Sequence, residues 1–210
     1  MSILEAALRN KESSTTNKGY ERAGTILTVA RQILVSEGYA ALSMRSVAVG
    51  AGISLSTVQH YYPSREALIE ALLLQTFNSY QAAIDQRMAS LGDGSKLDLF
   101  NAVIEYFLEE LSDQVSTGLF FEVSALANRH AFASQFFDTM LTRARKTLRN
   151  LIRDMVPSMS AQQCEVRGAL IVSQMIGLML FISEVRPKHK ELAELRKEAT
   201  AAIMRIALAS

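Results

Sequence analysis

Apolar residues recur at spacings of three and four along nearly the whole chain, which is the period of an α-helix, and no stretch reads convincingly as a strand. Ile26, Val29, Ala30, Ile33 and Leu34 make the first stripe, closed by Glu37 and Gly38, where glycine supplies a left-handed cap. Ser43 is placed to cap a short helix to about Gly50, and Ser54 another to about His60. Pro63 and Ser64 open a long helix whose stripe includes Leu68, Ala71 and Leu72, until Gly92, Asp93 and Gly94 break it. Ser95 followed by Asp98 resembles a capping box. Further helices are expected over about 95–112, 117–128 and 131–156, the last ended by Pro157. Ser160 with Gln163 starts another to about 184, and Pro187 separates it from a final helix ending near Ala209. The expectation is an all-α chain of about nine helices, short ones first and a bundle of longer, more apolar ones after. Its divisions are an N-terminal extension (1–17), a first group of short helices (18–64) and a larger helical bundle (65–210).

The informative stretch is 44–62. Two short helices crossing steeply need a small residue at the crossing, a turn residue that tolerates positive φ, and apolar anchors on the second helix. Ala48, Gly52, Ile53 and Val58 meet those needs in order, and Ser54 caps the second helix. An isolated Ala-x-x-x-Gly is common by chance. The added Gly-Ile-Ser turn, the helix lengths and Val58 make the array more specific.

The same stretch resembles the N-terminal domain of the tetracycline-repressor family. The resemblance runs over residues 20–71. It rests on Ile26, Ala30, Glu37 to Tyr39, Ser43, Val47, Ala48, Gly52 to Ser54, Thr57, Val58, His60 to Tyr62, and Ser64 to Leu68. The rest of the chain agrees only in length and helical character. Two departures stand out: the family usually has Tyr where this chain has Gln59, and Lys where it has Arg65.

The resemblance implies a recognition helix in the major groove with its first half toward the base edges. Ser54, Leu55, Ser56 and Gln59 are the candidates for base contact, glutamine being able to pair bidentately with adenine. Thr57, His60, Tyr61 and Arg65 are candidates for phosphate, with Ser43, Met44 and Arg45 at the start of the preceding helix. Tyr62 is read as packing. The implied partners are double-stranded, palindromic operator DNA, a second copy of the chain and a small-molecule effector.

Charge changes this picture only locally. The net charge is +1, so the whole chain makes no electrostatic case for nucleic acid. Over 18–65, Lys18, Arg22, Arg31, Arg45 and Arg65 face only Glu21 and Glu37. The excess is modest, and useful affinity then requires two headpieces. A single Cys164 excludes an intrachain disulfide framework. Residues 1–17 lack a signal-peptide core. The apolar run 168–183, interrupted by Ser173 and Gln174, falls short of the ~18–20 residues that span a bilayer. A cytoplasmic protein with no membrane partner is expected.

In the larger domain, aromatic and Met residues including Phe107, Phe121, Phe136, Met140, Met175 and Met179 are interspersed with polar ones, notably Glu122. Core packing explains any one of them. A mostly apolar cavity with a few polar groups would also be built this way, and these seven are the candidate effector residues. Ala169, Ser173 and Gly177 recur every four residues, and Leu195, Ala199 and Ala202 lie on a later stripe. Small side chains allow close approach, so these six are the candidate subunit interface. No catalytic set, cofactor motif or metal-spaced cluster is visible, so no enzyme activity, cofactor or metal is expected. A helical lipid carrier or enzyme would explain the apolar bundle but not the Ala48–Gly52–Val58 array. A regulator controlled by a protein partner would explain both.

Overall fold

The computed structural model describes residues 17–92, 94–184 and 186–209. The N-terminal extension thus lies outside the described residues, except for Asn17. Among the described residues the regular structure is helical throughout, as the periodicity requires. The helices are α1 (Asn17–Glu37), α2 (Met44–Gly50), α3 (Leu55–Tyr61), α4 (Arg65–Ser90) and α5 (Lys96–Glu110). They continue with α6 (Gln114–Ala127), α7 (Ala131–Met155), α8 (Ala161–Ile182) and α9 (Leu195–Leu208), with one 3-10 turn at Lys190–Leu192.

The helix starts are set by side-chain caps that satisfy amide groups left over at a first turn. Ser95 with Asp98, and Ser160 with Gln163, form complete capping boxes on α5 and α8. One start differs from expectation. α6 begins at Gln114 rather than near 117, because the Asp113 carboxylate accepts the Ser116 N–H at 2.7 Å.

The chain divides into two compact units that meet in sequence at Leu73 and Leu74, inside α4 rather than at its start. The reason is burial: Leu68, Ile69 and Leu72 on the first turns of α4 are fully enclosed. They belong to the same unit as Ile26, Ala30, Leu34, Leu42, Val47 and Val58.

The second unit has its own core, in which Phe100 and Ile104 of α5, Leu148 and Ile152 of α7, Ile171 of α8 and Ile203 of α9 are closed off from solvent. At the α7–α8 crossing the two helices approach closely. A Cβ placed on Gly168 would lie 2.9 Å from the Arg145 carbonyl oxygen and 3.2 Å from the Arg149 amide nitrogen. Beside the crossing, Glu165 of α8 pairs with Arg145 at 2.8 Å and with Arg149 at 3.2 Å.

α8 also corrects an expectation. The run 168–183 is short, but the helix has 22 residues and is long and apolar enough to cross a membrane. A core helix shares that length and composition. Cys164, Gly168, Ile171, Met175 and Leu178 of α8 are buried within the bundle.

Candidate nucleic-acid interface

Three short segments build the first unit's outer face. Ser43 accepts the Ser46 N–H at 3.0 Å, and Ser46 Oγ in turn accepts the Ser43 N–H at 2.9 Å. This box holds the first turn of α2, as the position of Ser43 leads one to expect. The turn after α2 closes with Gly52 N–H donating to Val49 at 3.1 Å and Ile53 N–H donating to Ala48 at 3.0 Å. Gly52 sits at φ +63°, a conformation that side-chain-bearing residues rarely adopt. Ala48 and Val58 are buried, so α2 and α3 are anchored through the small residue and the aliphatic one. Gly50 makes a second close approach: a Cβ there would stand 2.7 Å from Val29 Cγ1 of α1.

Anchoring through Val58 leaves Ser54, Ser56, Gln59 and His60 exposed, with Leu55, Thr57 and Tyr61 half-buried. Ser54 Oγ accepts the Thr57 N–H at 3.1 Å and also bonds the Ser56 and Thr57 hydroxyls, at 2.9 and 2.7 Å. The His60 and Tyr61 rings meet edge to face at 5.4 Å. On α2, Ser43 and Arg45 are exposed and Met44 is half-buried. Val49, one turn beyond Arg45, is 78% exposed, a large apolar side chain to which sequence reading assigned no role. All of these share the α2–α3 region.

Two residues after α3 turn inward. Tyr62 donates its O–H to the Ala23 carbonyl of α1 at 3.3 Å, in keeping with the packing role read from sequence. Burial, and then the neighbouring Tyr61, push its pKa up to about 12. Arg65 is half-buried. Its guanidinium stands 3.7 Å over the Tyr39 ring, and one Nη donates to the Tyr39 carbonyl. Its Nε is shielded from solvent and has no hydrogen-bond partner among the described residues. Tyr39 belongs to the resembling stretch, but nothing in sequence spacing marks it as the partner of Arg65, because the two are 26 residues apart along the chain.

In the second unit, the candidate effector residues fall into separate groups. Phe121 meets Phe120 edge to face at 5.8 Å, and Phe120 meets Phe137 at 5.5 Å. Phe136 meets Phe77 at 6.1 Å, with Arg143 4.4 Å over the Phe77 ring. Phe107 pairs elsewhere, with Tyr106 at 5.9 Å. Glu122 and Met140 are half-buried, whereas Met175 and Met179 are 5% and 3% exposed and act as core.

The candidate interface residues divide by helix. Ser173 of α8 is exposed, Ala169 and Gly177 are half-buried, and nothing lies within 4 Å of a Cβ placed on Gly177. The exposed Val166, Leu170, Leu180 and Phe181 share this face. The Ser173 hydroxyl donates back to the Ala169 carbonyl at 2.9 Å, which keeps the face apolar. On α9 the expectation needs correction. Ala199 is 7% exposed and belongs to the core with Ile203 and Ala207, and Leu195 packs against it. Two of the three residues are thus covered within the chain, and only Ala202 remains half-buried outside that core.

Comparison with known proteins places the first unit. Residues 26–72 match the model of the bacterial regulatory proteins, tetR family. The HTH-type transcriptional regulator EthR of Mycobacterium tuberculosis is 29% identical over 105 residues, covering 50% of this chain and 49% of its own length. The HTH-type transcriptional regulator UidR of Escherichia coli is 40% identical over 50 residues, 24% of this chain and 26% of its own. The chain thus spans about half the length of the first of these relatives and less of the second. A solved structure of a TetR transcription regulator from Haloarcula marismortui aligns with a TM-score of 0.70 at 16% identity, covering 90% of this chain and 97% of that one. That likeness extends the shared fold through the second unit.

Proposed function

We propose that this chain, which its N-terminal domain makes a tetR-family transcriptional regulator, is a homodimeric repressor released from operator DNA by a small apolar or amphipathic effector. The observation that carries the DNA-binding part is the face of α3. A seven-residue helix, anchored by Val58 and preceded by Gly52 at positive φ, presents Ser54, Ser56, Gln59 and His60 together to solvent. Such a helix enters the major groove with its exposed side chains toward base edges. Leu55 adds apolar surface, Thr57 and Tyr61 flank the bases toward phosphate, and Ser43, Met44 and Arg45 meet the backbone.

The α8 face supports the dimer. An apolar surface around an open glycine needs a cover, and a second copy of the same face supplies one by two-fold symmetry. Two headpieces then engage successive major grooves ~34–36 Å apart, which implies a palindromic operator. The half-buried phenylalanines and Glu122 support an effector site among α4, α6 and α7. An effector releases DNA only by binding the non-DNA-binding conformation more tightly. This reading places the protein in the cytoplasm, with no membrane partner.

The test is selection of duplexes from a randomised DNA pool by the purified full chain. The expected result is a two-fold-symmetric consensus. Recovery of sequences no different from the starting pool would overturn the proposal.

A further inference from the structure

We infer that Arg65 is a positioning residue for the recognition helix, acting through Tyr39, and that its positive charge is not a phosphate contact. This rests on the DNA-binding reading above and assigns one residue of that site a different task.

A guanidinium that clamps a phosphate presents two parallel N–H groups to it. In Arg65 one face of the plane is covered by the Tyr39 ring at 3.7 Å, one Nη donates to the Tyr39 carbonyl, and Nε is turned away from solvent. The edge of the fork formed by Nε and that Nη is therefore turned into the first unit. The Tyr39 carbonyl already accepts the Leu42 N–H at 3.3 Å, closing the turn between α1 and α2. Both of its lone pairs are thus directed, one by the turn and one by Arg65.

The location gives this contact its consequence. Arg65 is the first residue of α4 and lies just past the end of α3, while Tyr39 lies just ahead of α2. The stacked pair ties the segment entering the helix-turn-helix to the segment leaving it. A second tie, Tyr62 O–H to the Ala23 carbonyl, holds the same end of α3 to α1. α3 spans only seven residues and exposes Gln59 two residues from its end, so a small rotation at that end swings Gln59 off its base edge. Arginine is required by the geometry rather than by the charge. An ammonium has no planar face to lay on a ring and no rigid fork to aim at a carbonyl.

The experiment compares full-length wild type, Arg65→Lys, Arg65→Gln and Tyr39→Leu on the selected operator and on a scrambled duplex. Affinity is measured against salt, at temperatures where circular dichroism shows each variant folded. Arg65→Lys should lose about tenfold in operator affinity, the worth of one hydrogen bond to a charged group, although it keeps the charge. Tyr39→Leu should lose a similar factor although it changes no charge, and combining it with Arg65→Lys should add little. Scrambled-duplex affinity should hardly move for either, which a general loss of fold would not produce.

A phosphate contact predicts the reverse pattern. Arg65→Lys would bind as wild type, Tyr39→Leu would be silent, and Arg65→Gln would lower the salt slope by about 1 per headpiece on both duplexes. That result overturns the inference. Should Tyr39→Leu not fold, the two Arg65 variants decide alone by the same criteria. A wild type that prefers no DNA sequence defeats the DNA-binding reading and this inference with it, whereas a selective wild type with indifferent variants defeats only the inference.

Discussion

Replacing Gly168 by alanine should destabilise the second unit, although alanine is the better helix former. Glycine inside a helix costs ~1 kcal/mol relative to alanine, so Gly168→Ala begins with a gain of that size. Against it stands the α7–α8 crossing, where the new Cβ would be 2.9 Å from the Arg145 carbonyl oxygen and 3.2 Å from the Arg149 nitrogen. Ordinary carbon–oxygen contacts are ~3.3–3.6 Å, so the helices must part by roughly half an ångström. Both obstructing atoms are backbone, and no side chain can rotate away to absorb the move. Overpacking of this kind costs ~1–3 kcal/mol, and less the propensity gain the net loss is about 1 kcal/mol. Gly24 of α1 is the control, because a Cβ there meets nothing within 4 Å and Gly24→Ala keeps its full gain. The assay is thermal unfolding at one protein concentration, each variant scored on the transition of its own unit. At ~2–8 °C per kcal/mol for units of these sizes, Gly168→Ala should melt a few degrees below wild type and Gly24→Ala a few degrees above. A Gly168→Ala protein that melted at or above wild type would refute the reasoning.

Gln59→Ala should relax preference at one base pair per half-site, at ~1–3 kcal/mol of discrimination, while leaving the rest of the selected consensus intact. If instead affinity fell alike on all sequences, Gln59 would be a backbone contact. Gly177→Leu should convert the dimer to monomer in sedimentation and weaken operator binding with it, and an unaltered dimer would move the interface off this face of α8. The Tyr62 phenol, held protonated to about pH 12, gives up no proton where the unfolded chain begins to lose its own near 10. The unfolded state then binds fewer protons, so stability falls as pH rises from 10 to 12. Tyr62→Phe should flatten that part of the urea-midpoint profile, and an identical profile would show that another group carries it. An effector that releases DNA should bind more weakly in the presence of operator by the same factor, typically ~5–150. Calorimetry giving one affinity in both conditions would rule that ligand out.

Features that depend on neighbours in sequence were readable from it. Ser43, Ser54, Ser95 with Asp98 and Ser160 with Gln163 all act within one helical turn, and each caps where its spacing places it. Gly52 was legible for the same reason, since a turn between two short helices demands its backbone angle. Contacts across the fold were not. The charge of Arg65 is plain in the sequence, but that Tyr39 would take it up depends on how two distant turns are brought together. Gly168 and Gly177 look alike as small residues on one helix. Separated by roughly two and a half turns, they lie on opposite sides of it, one against α7 and the other open. Sequence reading chose Gly177 and passed over Gly168, whose neighbour is identified only by packing. The α9 stripe misled for a related reason: Leu195 and Ala199 do form an apolar arc, but only packing shows that it is covered within the chain.

The cluster at the start of α3 limits what that end of the helix can give to DNA. Ser54, Ser56 and Thr57 bring three hydroxyl protons, and the two bonds that join them use two. One proton is left to offer outward, whichever way the bonds run. If the Ser56 and Ser54 hydroxyls both point toward Thr57, the spare proton is on Thr57. If the chain runs the other way, it is on Ser56; it is not on Ser54, whose oxygen already accepts the Thr57 N–H and has one lone pair left for a hydroxyl. Phosphate oxygens only accept, so the trio can serve a single one of them at a time. The choice between the two sites is made by turning O–H bonds, with every carbon, nitrogen and oxygen staying where it is. Half-sites that differ in the position of their nearest acceptor can thus meet the same rigid helix with a different one of its hydroxyls.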